Sequence, residues 1–363
     1  MVSASVTGKE QGALAPGWLR WGRRLIHGYW LPRLFKAFLT VYIVITLTFF
    51  LVHLLPGNPI QVYINNLISQ YSMTYQQAQS EASSLYSVDL SKPVLVQYGE
   101  YLGHLIHGDL GTSITAQGTP VTSIIRQYLP WTLFSVGIGL AVSVTIGILL
   151  GVLMAYKRES WFDHVLSTLA SLLSSIPNYL VGIMVLIIFG VRLGWFDIAG
   201  MRGSYSPDVH PQLSFHFITD ALYHAELPIL VYVITTVGAW MLLMKSSTLS
   251  VLEEDYVTVA RARGLHGARV MIAYVGRNAV LPVFTQLAIS VGFIVGGSVL
   301  IETIFSYQGI GYLLTNSVNT RDYPVMQGVF MVITISVVVA NLLADFLYVK
   351  LDPRIGAQAG ARQ

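Results

Sequence analysis

Cysteine is absent from this 363-residue chain, and charged side chains make up only 11% of it. The first absence excludes disulfides, thiolate metal sites and cysteine nucleophiles. The second excludes an ordinary soluble protein, because water-facing domains carry about 25% charge. Here 21 basic and 18 acidic residues would have to cover 40.0 kDa. No Gly-x-x-x-x-Gly-Lys-Ser/Thr string occurs; the single Gly-Lys pair, Gly8-Lys9, runs into Glu10, so the chain lacks the loop that cradles nucleotide phosphates. A net charge of +3 is too small to attract nucleic acid. Apolar residues are what the chain has in quantity: 54% of it is hydrophobic and the mean hydropathy is +0.61, which excludes disorder.

Six stretches lack Asp, Glu, Lys and Arg altogether: Ala37–Leu55, Thr132–Tyr156, Val165–Val191, Leu227–Met244, Asn278–Ile301 and Tyr323–Ala344. A bilayer is crossed by about 20 apolar residues, and in hydrocarbon a single span must satisfy its own backbone, so each stretch predicts a helix. The fold class is all-α integral membrane with six spanning helices. Of the 21 Lys and Arg residues, only Lys92, Arg126, Arg192, Arg202 and Arg321 fall on the side away from the N-terminus, which places both termini in the cytoplasm. Trp18, Trp21, Tyr29 and Trp30 alternate with Arg20, Arg23, Arg24 and Arg33, the mixture of an interfacial helix or an anchored tail. No small-residue cleavage site follows the first span, so a removed signal peptide is not expected. The organisation expected is an N-terminal extension over 1–33, helix 1 over 34–56, an extracytoplasmic subdomain over 57–130, a core over 131–350 and a cytoplasmic tail over 351–363.

Pro177 falls inside the third span and predicts a kink there. Gly147-x-x-x-Gly151 and Gly292-x-x-x-Gly296 predict close helix contacts. Asp345 is the charge nearest an apolar core, with Lys350 and the interface close by, and predicts a structural role. His104 and His107 lie one turn apart, a spacing more often merely solvated than metal-binding. Between the fourth and fifth spans, at about 252–266, acids at 253–255 open a short helical run, Arg261 and Arg263 close it, and Gly264 fits a C-terminal cap. Tyr256, Val259, Ala260 and Arg263 share one side of that helix, the pattern of a surface on which something docks.

This segment resembles the coupling loop of binding-protein-dependent ABC importer permeases, and residues 34–356 resemble the B-type membrane subunit of dipeptide and oligopeptide importers. The strings that carry the likeness are Glu254-Asp-Tyr-Val, Ala260-Arg-Ala-Arg-Gly-Leu265, Arg277-Asn-Ala-Val-Leu-Pro282, Glu302-Thr-Ile-Phe-Ser306, Gly309-Ile-Gly311, Arg321-Asp-Tyr-Pro324 and Leu351-Asp-Pro-Arg-Ile355. Leu54-Leu-Pro-Gly-Asn-Pro59 and Gly108-Asp-Leu-Gly111 add to it. Two departures stand: Thr258-Val259-Ala260 replaces the Glu-Ala-Ala of the general motif, and Gly264 lies farther from Leu281-Pro282 than in sugar-importer permeases.

The resemblance implies a type I importer transmembrane domain in a bacterial or archaeal inner membrane. It implies a second related permease subunit, two cytoplasmic ATPase subunits that hold ATP and Mg, and an extracytoplasmic binding protein. This chain itself would carry no cofactor and no catalysis. Glu254, Asp255, Tyr256, Val259, Ala260, Arg261, Ala262, Arg263, Gly264 and Leu265 would meet the ATPase, Ala260 permitting close approach. By polarity and position rather than by resemblance, Tyr307, Gln308 and Tyr312 are expected to line the outer mouth. The competing readings are the same machine carrying nickel, glutathione or oligosaccharides, a stand-alone secondary transporter, and a membrane enzyme. Buried charges would favour the secondary transporter, and a docking helix speaks against it.

Overall fold

A computed structural model describes residues 31–351 apart from 55–63, 66, 70–71, 86–91, 117, 213, 295 and 297–298. The interfacial segment expected before residue 31 and nearly all of the C-terminal tail lie outside the described residues. Among the described residues there are helices and no strand, only an isolated bridge between Thr112 and Pro120. The elements are α1 (Leu31–Leu54), α2 (Tyr75–Leu85), α3 (Val94–Ile106), α4 (Val121–Tyr156), α5 (Trp161–Ser175), α6 (Asn178–Val185), α7 (Phe215–Leu252), α8 (Asp255–Ala262), α9 (Arg277–Phe293), α10 (Val299–Ile304), α11 (Ile310–Thr320) and α12 (Tyr323–Leu351).

Five helices are long and apolar enough to cross a membrane: α1, α4, α7, the run Gly267–Gly292 ending in α9, and α12. They correspond to five of the six charge-free stretches. The sixth, Val165–Val191, is divided. α5 ends at Ser175, and α6 leaves at 96° to it before widening into a π-helical turn over Leu186–Arg192. The cause is local: proline crowds the residue before it out of the helical region, and Ile176 accordingly sits at φ −87°, ψ 126°. Pro177 therefore breaks the segment rather than bending it.

Pro130, Pro228 and Pro282 lie inside helices that continue through them. Pro130 lies inside the first third of α4, so the helix starts before the expected end of the outer segment. α4 begins at Val121, because Val121, Ile124 and Ile125 are buried against Ile310, Leu313, Val325 and Val329 and hold the first turns in register.

The centre of the bundle is the pairing of α4 with α7, where Val136, Leu140 and Val144 meet Trp240 and Met244. A Cβ at Gly147 would collide with the Trp240 side chain, and one at Gly151 with the backbone of Met241, so the small-residue motif is what lets these two helices close. Gly292 does the same against Ala340, seating α9 on α12. α1 packs on α12, and the Arg33 Nε to Asp345 Oδ2 pair at 2.6 Å fastens their ends. The structural role expected of Asp345 is therefore present, with Arg33 as its partner from the far end of the sequence.

Candidate functional site

The bundle has two ends, and each carries a distinct arrangement. At one, α8 lies between α7 and the helical run that leads into α9. Glu254 is its extended N-cap residue, φ −71° and ψ 142°, and Arg263 closes it. Gly264 adopts φ +72°, a left-handed conformation that glycine takes without a Cβ penalty, so the chain turns out of the helix where expected. Glu253, Glu254 and Asp255 stand at the positive end of the helix dipole, and Arg261 at its negative end.

One side of α8 is inside the protein. Val257 is fully buried and Ala260 is 2% exposed; they pack with Val270 and Val275 of the π-helical run Val270–Gly276, bordered by Val251, Leu252, Leu265, Met271 and Tyr274. This corrects the part expected of Ala260. Its small side chain admits the neighbouring run of this same chain, and it offers nothing to a partner. Burying one such valine contributes about 2 kcal/mol, so α8 is welded to the end of α7 and the start of the next span.

The opposite side is exposed: Asp255, Tyr256, Thr258, Val259, Arg261, Ala262 and Arg263, with Ile272 open nearby on the following run. Val259 is 50% and Ile272 76% exposed, apolar surface among charges. The Tyr256 hydroxyl accepts from Asn278 Nδ2 at 2.9 Å, and the same amide donates to the Tyr274 carbonyl. Ser247 Oγ donates to the Ala279 carbonyl at 2.6 Å, a further tie between α7 and α9. Beneath this end, Lys245 Nζ meets Asp163 Oδ1 at 2.5 Å, and Asp163 also accepts from the Glu159 amide and the Ser167 hydroxyl. That acid was legible as the fourth residue of a capping motif, since Ser160 caps α5 by accepting from the Asp163 amide.

The other end is held by two buried carboxylates. Glu302 on α10 is fully buried; Thr132 Oγ1 and the Gly311 amide donate to it at 2.7 Å, and the Tyr312 amide at 3.2 Å. The Ile310 amide donates to Thr132 Oγ1, closing a ring between α4, α10 and the first turn of α11. A Cβ at Gly309 would occupy the place of the Glu302 carboxylate, so the glycine before α11 is what admits the acid. Asp322, 1% exposed, accepts from the hydroxyls of Ser113 and Thr115 and the amides of Ile114 and Thr115, fastening the 113–115 loop to the start of α12.

These acids correct the expectation that Asp345 alone approaches the apolar core. Glu302 directly follows the fifth apolar stretch, and the sequence alone marked it only as part of the string Glu302-Thr-Ile-Phe-Ser306; the structural signal was an acid followed at seven and nine residues by glycines opening a helix.

Of the residues expected at the outer mouth, Tyr307 is fully buried, its hydroxyl donating to the Trp131 carbonyl at 3.2 Å, so it lines no surface of this chain. Gln308 is exposed and Tyr312 half-buried. His104 faces Asp109 at 3.0 Å while His107 Nδ1 meets the Gly103 carbonyl, so the two rings do not share a site. Among the described residues no three His, Asp or Glu side chains converge as metal ligands would.

Comparison with known proteins gives this arrangement a context. Residues 147–357 match the family described as the binding-protein-dependent transport system inner membrane component. A Brucella suis biovar 1 protein named as a peptide permease is 38% identical over 85% of this chain and 92% of its own length. The di/tripeptide transport system permease protein DppB of Pseudomonas aeruginosa is 35% identical over 88% of this chain and 96% of its own. The oligopeptide transport system permease protein AppB of Bacillus subtilis is 34% identical over 85% and 93%.

Proposed function

This chain belongs to the binding-protein-dependent transport system inner membrane component family, and we propose that it is the permease subunit of an ATP-driven importer of di- and oligopeptides. The names of the relatives support that cargo. In this reading the chain pairs with a second, related permease to enclose the passage. Two cytoplasmic ATPase subunits hold ATP and Mg, and an extracytoplasmic binding protein delivers the peptide. Both termini and α8 are then cytoplasmic, as the distribution of basic residues argues.

The observation that carries this reading is the two-sidedness of α8. Its outer side, with Val259, Arg261, Ala262 and Arg263, is the docking surface for the ATPase. Its inner side, with Val257 and Ala260, is locked to the two spans that flank it. A displacement of α8 by the closing ATPase dimer is therefore passed to α7 and α9 rather than absorbed in a loose loop. α7 carries it to α4 and α5, and α9 to α12. At the far end the ring around Glu302 keeps α4, α10 and α11 together, so the stroke rotates packed helices about a fixed point.

The test is reconstitution of the permease pair with and without the ATPase subunits, supplied with binding protein and labelled dipeptide. Uptake is expected only with ATPase and hydrolysable ATP. Equal uptake by the permease pair alone would overturn the reading and favour a secondary transporter.

A further inference from the structure

α3 belongs to the long loop after the first span, yet its contacts lie well down that span. The Tyr98 hydroxyl hydrogen-bonds Thr46 Oγ1 at 2.7 Å, and its ring lies 5.2 Å from Phe49 and 5.4 Å from Phe50. Tyr101 stacks on Phe49 at 5.3 Å, and Gln97 Oε1 meets His53 Nε2 at 3.2 Å. Thr46 precedes the end of α1 at Leu54 by eight residues, about 12 Å along a helix rising 1.5 Å per residue. The contact thus falls within the apolar length of α1, not beyond it.

The side of α3 turned away from α1 is apolar. Leu95 is 73% and Ile106 83% exposed; Gly99 and the half-buried Leu102 lie between them at helical spacing, and a Cβ at Gly99 or Gly103 would meet nothing. The one formally charged side chain of α3, Glu100, pairs with Lys92 at 2.6 Å. The exposed face of α1 at the same level is Leu47, Leu51 and Leu54, at 55%, 60% and 76%. Both helices thus expose apolar side chains where they meet, and α1 is a spanning helix whose outer face is solvated by lipid.

We propose that α3 is a membrane-embedded helix, lying in the leaflet nearer the long loop with Leu95, Gly99, Leu102 and Ile106 against acyl chains. Neutralisation of Glu100 by Lys92 is what such a position requires, and a water-soluble partner could not reach the level of Thr46. The segment after the first span is then not wholly an aqueous subdomain: α2, rich in Gln and Ser, faces water, and α3 faces lipid.

Because the chain contains no cysteine, single thiols report each position directly. Leu95→Cys, Gly99→Cys and Ile106→Cys are labelled with bimane in the assembled transporter, in vesicles of phosphatidylcholine with or without a doxyl-labelled acyl chain. Leu51→Cys on α1 is the lipid reference and Gln76→Cys on α2 the aqueous one. The positions on α3 are expected to be quenched by doxyl lipid as strongly as Leu51→Cys, at least threefold more than Gln76→Cys, and to resist iodide. Quenching by iodide at the level of Gln76→Cys would overturn the proposal in favour of a water-facing surface. Protection from both quenchers would overturn it in favour of a cover supplied by another subunit. All three positions are open in this chain, so the substitutions leave its packing intact.

Discussion

α8 and the Glu302 and Asp322 clasps are held by opposite means, while beneath α8 the buried Asp163 pairs with Lys245 to tie α5 to α7. At the α8 end the acids and bases of the helix are exposed and only apolar side chains turn inward; at the other, Glu302 and Asp322 are buried and held by hydroxyls and backbone amides. Apolar contacts are non-directional and leave a surface charged and readable by another protein. Hydrogen-bonded carboxylates are directional and fix one geometry at the cost of offering nothing outward. In the proposed importer, the first end is the one that receives a stroke and the second the one that holds its shape while the stroke arrives.

Removing the hubs should give the largest effects. Glu302→Ala leaves the Thr132 hydroxyl and the Gly311 and Tyr312 amides without an acceptor, and about 3 kcal/mol of stability should be lost. Glu302→Gln, which keeps one acceptor oxygen, should lose roughly half of that. The check is the unfolding midpoint of the purified assembly, and equal losses for the two would refute the hydrogen-bond account.

Asp322→Asn comes next, at about 2 kcal/mol. Limited proteolysis should then cut the 113–117 loop while the α8 end stays protected; unchanged cleavage would detach that loop from the clasp.

Ala260→Leu should cost about 1–3 kcal/mol by overfilling the apolar block under α8. An unchanged midpoint with lost ATPase binding would return Ala260 to the docking surface.

Arg33→Gln, breaking a half-exposed ion pair, should cost at most about 1 kcal/mol, less at high salt. A larger loss would show that the α1–α12 tie is no ordinary surface pair.

The spans were legible because charge is costly in hydrocarbon and its absence maps each one. Pro177 was legible as a disturbance, because its effect on Ile176 is local; the 96° angle that follows appears only with α6 in place, where Gly182 lies near Ile304 and Phe305. The start of α4 was missed because Pro130 looks like a boundary, and only the buried contacts of Val121 and Ile125 carry the helix past it. The spacing of Tyr256, Val259 and Ala260 places them on a helix, with Arg263 as the residue that closes it. Periodicity cannot say which side of a short helix meets its own protein, so Ala260 was assigned outward. Arg33 and Asp345 are separated by nearly the whole chain, and their pairing appears only when α1 lies on α12.

The central claim, that the ATPase grips the outer side of α8 and not its inner side, is tested by a cross-link. Single thiols at Val259→Cys and Ala260→Cys, adjacent in sequence and opposite in exposure, are treated with a short thiol-to-amine cross-linker in membranes containing the whole importer. Val259→Cys should join to the ATPase subunit, more so with ATP bound, and Ala260→Cys should not. A cross-link from Ala260→Cys with none from Val259→Cys would contradict the account.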